Sequence, residues 1–270
     1  MTLTYTPERR AELSERLALV QSRIRHAAED LSGARTASSA LPELIVVTKF
    51  FPASDVAALY DAGVRAVGEN RDQEAAAKAQ ELIDYTGHDD PLRWSFIGQL
   101  QTNKAKSVVQ YAHEVQSVDR PQLADALSRA YNNRVVRYEN GEGNAPAALA
   151  HKGLRCLIQV GLDTRVEATA GQAALGARGG VDPAEILTLA EHISSLPGLT
   201  VGGLMAVAPL GQDAAAAFER LYSYSQHLQE HYPQATTISA GMSHDLGEAI
   251  RWGATSVRVG SAIMGSRPAL

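Results

Sequence analysis

The run Leu44-Ile45-Val46-Val47-Thr48 carries no charge and is dominated by β-branched residues, the pattern of a strand buried on both faces in a parallel sheet. Similar short runs recur with helical stretches between them. Leu44–Thr48 precedes a helix around Ser54–Asp61, Arg65–Gly68 precedes Arg71–Ile83, Trp94–Ile97 precedes Asn103–Tyr111, and Val115–Val118 precedes Pro121–Tyr131. Leu154–Val160 then leads to Pro183–Ser195, Val201–Leu204 to Ala214–His231, Thr236–Ser239 to Asp245–Trp252, and Ser256–Val259 to the short run Ala262–Met264. Strict alternation of this kind predicts a parallel sheet. Eight βα units are the number that closes a (β/α)8 TIM barrel, with a doubly wound open sheet as the competing α/β arrangement. Ahead of the first unit, Thr6-Pro7 reads as an N-cap with proline at the first helical position. Leu13, Leu17, Val20, Ile24, Ala27 and Leu31 then form one apolar stripe before Ser32-Gly33. The expectation is one barrel domain over residues 1–270, with residues 1–42 as an extra N-terminal helix and linker packed on it. Two stretches break the rhythm: Asn132–Lys152 reads as an insertion of turn formers, and the glycine-bearing Thr164–Gly180 as a flexible βα loop without phosphate-loop register.

Composition narrows the function class. The chain has 270 residues and a net charge of -5, which gives no general attraction to nucleic acid or to an anionic membrane. Cys156 is the only cysteine, which excludes an internal disulfide and a cysteine zinc cage and makes a cytoplasmic setting the expectation. No apolar run approaches the roughly 18 residues of a membrane span.

Chemistry in such a barrel sits just past the C-terminal ends of the strands. Those positions are Lys49, Glu69-Asn70, Gly98-Gln99, Val118-Asp119, Met205, Gly241-Met242-Ser243 and Gly260-Ser261. Lys49 has two readings: a stem covering apolar surface with its ammonium in water, or an amine whose pKa desolvation lowers until it can form a Schiff base with an aldehyde. Loops after strands seven and eight are the usual barrel phosphate site, which assigns that role to Ser243, Gly260 and Ser261; Ser243 is also placed to cap the Asp245–Trp252 helix. Arg258 alternates with Val257 and Val259, so it points into the barrel if the valines face the helices, and its acceptor is either a structural carboxylate or a ligand's ring nitrogen. An aldehyde-bearing phosphate ester fits all these parts, and pyridoxal 5′-phosphate (PLP) also uses the arginine.

Seven ordered blocks carry a resemblance to a known family. They are Val46-Val47-Thr48-Lys49, Val67-Gly68-Glu69-Asn70 with Gln73-Glu74, Trp94 through Lys104, Ser117-Val118-Asp119-Arg120, Gly203-Leu204-Met205-Ala206, Gly241 through Asp245, and Val257 through Ala262. The chain resembles the PLP homeostasis proteins, which are similar to the barrel domain of alanine racemase. The resemblance implies that Lys49 forms the Schiff base with PLP, that Ser243, Gly260 and Ser261 hold the phosphate, that Arg258 faces the pyridine nitrogen, and that Asn70 and Met205 line the ring. Ser95, where the family usually has histidine, Phe50 after the lysine, His244, and the two long loops depart from the pattern.

An arginine at the pyridine nitrogen disfavours ring protonation and weakens the electron sink. Alanine racemases add a second domain whose tyrosine serves as the other base, and this chain ends at Leu270, shortly after the last expected strand. The expectation is therefore a monomeric, non-catalytic binder acting in PLP homeostasis by buffering or delivery, with PLP-dependent apoenzymes as recipients. A PLP-dependent racemase-type enzyme of weak activity is the alternative. Two motifs read as decoys: His227-Leu228-Gln229-Glu230-His231 as a solvated helix end rather than a zinc protease motif, and Ser243-His244-Asp245 because consecutive residues cannot form a relay.

Overall fold

A computed structural model of the chain describes residues 3–35, 39–86, 90–151, 153–163 and 179–267. Its eight parallel strands close into a barrel in sequence order. They are β1 (Glu43–Val47), β2 (Ala66–Glu69), β3 (Arg93–Phe96), β4 (Glu114–Val118), β5 (Leu154–Gln159), β6 (Leu199–Met205), β7 (Thr237–Ser239) and β8 (Ser256–Val259). Closure is made by β1 against β8, with Glu43 to Val46 in register with Ser256 to Val259. The (β/α)8 barrel expected from the alternation is the fold, and the open sheet is set aside.

The helices are α1 (Pro7–Ala28), α2 (Ala53–Asp61), α3 (Asp72–Leu82), α4 (Ala105–Tyr111), α5 (Pro121–Glu139), α6 (Ile186–Ser195), α7 (Ala214–His231), α8 (Leu246–Arg251) and α9 (Ser261–Met264). Between sheet and helices lies one continuous apolar layer, to which Val46, Val67, Phe96, Val115, Ile158, Leu204, Ile238, Val257 and Val259 contribute the strand side. Val257 and Val259 therefore face the helices, and alternation turns Ser256 and Arg258 into the barrel. Cap and proline start α1 as expected, Thr6 accepting from the Arg9 amide. Leu13, Leu17, Val20 and Ile24 are buried against α2, α8 and α9.

The structure corrects several boundaries. Leu31 lies past the end of α1 and is 49% exposed, so the buried stripe stops before it. Helix α5 runs eight residues beyond Tyr131, to Glu139, and the insertion starts later than expected. The reason is tertiary: the Asn132 side-chain amide, read as a turn former, donates to the carbonyls of Ser128 and Pro197 at 2.8 and 2.7 Å, which anchors the helix to the loop before β6. Both α4 and α6 are preceded by a 3-10 turn, at Thr102–Lys104 and Pro183–Glu185. Of the Thr164–Gly180 loop, residues 164–178 lie outside the described residues, as do His88 and Lys152.

Candidate functional site

Strand β1 delivers Lys49 to the C-terminal mouth of the barrel, and its neighbours fix the backbone there. The Lys78 ammonium, on α3, is buried and donates to the Thr48 carbonyl at 2.8 Å, to Glu69 Oε1 at 2.7 Å and to Glu74 Oε1 at 2.7 Å. All three of its donors are used. The Glu74 carboxylate also accepts from the Phe50 amide, and Thr48 Oγ1 donates to Glu69 Oε1 at 2.7 Å. The peptide units on both sides of Lys49 are thus gripped by one buried lysine and its two carboxylates. Phe50 takes the left-handed conformation, with φ 73°, alone among the described non-glycine residues.

The Lys49 side chain is half-buried, and its amine has no hydrogen-bond or ion-pair partner among the described residues. Burial lowers its pKa, the Arg267 guanidinium lowers it further, and Glu69 opposes them. Glu69 is itself pushed above the usual carboxylate range by burial, against the pull of Lys78. Both shifts favour the neutral form at its own site.

A cavity of about 300 Å³ opens beside Lys49, and its walls include Ser243, Arg258, Gly260, Ser261 and Arg267. Five of the seven residues expected at the site are therefore brought together. Ser243 and Ser261 present their hydroxyls 3.4 Å apart. Ser243 does not cap α8: Asp245 occupies that position, accepting from the Met242 amide at 2.6 Å, which leaves the Ser243 hydroxyl turned to Ser261. At the start of α9 the hydrogen bonds to Gly260 come from Ile263 and Met264, so the amides of Ser261 and Ala262 have no partner within the helix.

Arg258 lies below, buried, at the top of a polar relay through the barrel. It donates to Ser239 Oγ at 2.6 Å and to the Ala206 carbonyl at 2.9 Å. Ser239 donates to Gln116 at 2.7 Å, and Gln116 to Glu114 at 2.6 Å. No carboxylate touches the guanidinium among the described residues, so the structural-carboxylate reading of its partner gives way to neutral acceptors. Burial lowers its pKa to about 10, which leaves it charged at neutral pH.

Asn70 and Met205 stand at the ends of β2 and β6 but do not line this cavity. Met205 is buried beside Ala206, whose carbonyl holds Arg258, and Asn70 Oδ1 is buried without a partner among the described residues. The Asn70 backbone is packed so closely that a Cβ on Gly98 would lie 2.5 Å from its carbonyl oxygen. Arg71, Lys78 and Arg267 are site-forming residues that the strand-end rule did not single out. The signal that could have marked Lys78 is its helical spacing from Ala75 and Leu82, which puts it on the buried face of α3.

A second cavity of about 280 Å³ lies under α3 and α4 at the other end of the barrel, walled by Trp94, Tyr111 and His113 among others. Size does not separate the two cavities; only the first holds an unpaired amine with hydroxyls and amides for an anion. On α7, His227, Glu230 and His231 are exposed, with one possible ligand atom of each within 4.8 Å of the others.

Residues 25–268 match the family described as the N-terminal domain of alanine racemase. The chain is 38% identical over 273 residues to the pyridoxal phosphate homeostasis protein of Mycobacterium bovis, covering 98% of this chain and 96% of that one. It is 40% identical over 225 residues to the protein of the same name from Corynebacterium glutamicum, covering 83% and 90%. Among solved structures, PipY of Synechococcus elongatus with PLP bound is 31% identical, covers 94% of this chain and 100% of its own, and superposes with a TM-score of 0.69. Alanine racemase from Corynebacterium glutamicum, at 15% identity and a TM-score of 0.58, shares the fold, with 62% of its length covered. The chain therefore belongs to the pyridoxal phosphate homeostasis protein family, a branch of the alanine racemase N-terminal domain barrels.

Proposed function

We propose that this chain binds PLP in the cavity beside Lys49 and acts in intracellular PLP homeostasis, buffering or delivering the cofactor rather than turning over a substrate. The observation that carries the reading is the half-buried, unpartnered Lys49 amine, sharing one cavity with a hydroxyl pair and a helix start. When bound, PLP supplies an aldehyde for an amine and, if its ring nitrogen is protonated, an electron sink.

The donors present suit that group. The lowered pKa of Lys49 raises the fraction of neutral amine available for a Schiff base at neutral pH. The Ser243 and Ser261 hydroxyls, with the Ser261 and Ala262 amides, suit a phosphate. Gly260 lets the start of α9 pack close to β1, since a Cβ there would stand 3.2 Å from Val47. Arg258 retains N–H groups beyond its two bonds and stays charged, so it suits an acceptor nitrogen and opposes that nitrogen's protonation. Asn70 and Met205 complete the proposed set from just outside the cavity wall, Asn70 through a buried oxygen that has no donor among the described residues. The chain would serve as a cytoplasmic monomer with PLP-dependent apoenzymes as recipients.

The purified, PLP-loaded protein should show a visible absorption band that borohydride abolishes, and Lys49→Ala should lose it. Retention of the band at full occupancy in Lys49→Ala would end the anchoring role. Formation of D-amino acids from a panel of L-amino acids separates carrier from racemase; turnover near the typical enzyme rate of about 10 s⁻¹ would overturn the carrier reading.

A further inference from the structure

Three cations surround one aromatic ring at the mouth of the cavity. The guanidinium carbons of Arg267 and Arg71 lie 4.3 and 4.8 Å from the Phe50 ring centroid, and the Lys49 amine lies 5.7 Å from it. None of the three has a hydrogen-bond or ion-pair partner among the described residues. The nearby carboxylates Glu69 and Glu74 each bind Lys78 through Oε1 and act on Lys49 only through space, two negative charges against the four cations of Lys49, Arg71, Lys78 and Arg267. The ring reaches this position through a backbone conformation that a β-carbon disfavours, with its amide held by Glu74. The ring face attracts each cation but offsets only part of their mutual repulsion. Such a cluster is electrostatically incomplete, and an anion completes it.

We propose that Arg71 and Arg267, braced on Phe50, form an anion seat beside Lys49, apart from the Ser243–Ser261 pair, and that it takes the carboxylate of an α-amino acid. The proposal rests on the PLP reading above for its choice of ligand. Arg71 begins at the end of β2 and Arg267 follows α9, so the two flank the end of β1 from opposite sides. Both guanidinium groups act on the Lys49 amine through space, so an anion that either one holds beside Phe50 is felt at that amine. An external amine that takes the cofactor from Lys49 must approach the same place. A plain cationic amine is repelled there, whereas an amino acid brings a carboxylate one carbon from its nitrogen and meets the cations with it.

Titration of the PLP-loaded protein with L-alanine and with L-alaninamide, read by the visible band, tests the seat. The amide lacks the anion, and its amine is the less basic of the two, so the alanine-to-alaninamide ratio is compared between proteins rather than read against one. Relative to alaninamide, the response to alanine should weaken about ten-fold in Arg71→Gln and in Arg267→Gln, the worth of one charge-assisted hydrogen bond. A ratio unchanged from the wild type in both variants overturns the seat. Cofactor occupancy of Arg267→Gln at a tenth of wild type or less also overturns it, by assigning that arginine to the phosphate. A second measurement needs no cofactor: in the reductively ¹³C-methylated apoprotein, acetate should raise the pKa of Lys49 in the wild type and not in the double variant. Absence of the visible band would end the PLP reading while the acetate response still decides the seat.

Discussion

At the scale of single residues, the side chain whose ionisation the fold opposes most legibly is His113, just before β4. Its Nδ1 accepts from the Trp94 amide at 3.2 Å, which requires a lone pair there and hence the neutral ring. Burial lowers its pKa to about 4, with His151 and Arg93 nearby adding to the effect. In the unfolded chain the same ring titrates near ~6.5, so between the two values the unfolded state binds the extra proton. The folded state is therefore unpenalised above pH ~6.5 and loses stability as pH falls toward 4, by about 3 kcal/mol when complete. Glu69 and Glu114, whose pKa values burial raises, act with the opposite sign in the acid range. Comparing variants isolates the histidine: urea midpoints of His113→Gln should fall less steeply from pH 7 to 4 than those of the wild type, and parallel curves would refute the assignment. Sequence made some residues legible and hid others for a definite reason. Lys49, Ser243, Arg258, Gly260 and Ser261 share one cavity because barrel closure brings strand ends together whatever the loops do, and that much is legible from the alternation of strands and helices. Lys78 shares the buried face of α3 with Asp72, Ala75 and Leu82, but a charge in that stripe does not by itself disclose the Glu69 and Thr48 partners that sit far from it in sequence.

At the scale of elements, α1 is the part the barrel could spare in principle and yet uses. It covers α8 and α9, the two short helices that carry Ser243 and Ser261 at their edges. Arg9 pairs with Asp55 on α2 at 2.7 Å and donates to the Met264 carbonyl at the end of α9 at 3.0 Å. Arg23 donates to the Ser243 carbonyl at 2.8 Å. The helix thus holds the back of the proposed phosphate seat. Leu17→Ala, at the centre of the buried stripe, should cost about 2–5 kcal/mol of stability, read as a shift of the urea midpoint. A change below about 1 kcal/mol would mean that α1 is peripheral. The stripe and cap of α1 and the full span of α7 are legible because periodicity and end signals agree over long segments. The end of α5 was missed because its decisive contact, Asn132 on Pro197, joins residues far apart in sequence.

At the scale of the whole molecule, the proposed ligand would join the two ends of the barrel. Lys49 follows β1 while Ser243, Gly260 and Ser261 flank β8, and the β1–β8 register is what makes them neighbours. In the unfolded chain these residues are separated by about two hundred others, so no comparable site exists there, and binding acts on the native state alone. Binding to the native state contributes about 2.7 kcal/mol at a free ligand concentration a hundred times Kd. For a domain of this size each kcal/mol is worth about 2–4 °C, so PLP at that concentration should raise Tm by about 5–10 °C. The shift should grow with the logarithm of PLP concentration once the site is filled. Pyridoxal, which lacks the phosphate, should give a smaller shift at equal concentration, because it forgoes the hydroxyls and amides at the start of α9. Lys49→Ala should keep the part of the shift that the phosphate supplies and lose the rest. A melting temperature indifferent to PLP over the whole titration would sever the proposed site from the closure of the barrel, since a ligand held at both its first and last units cannot leave unfolding unchanged.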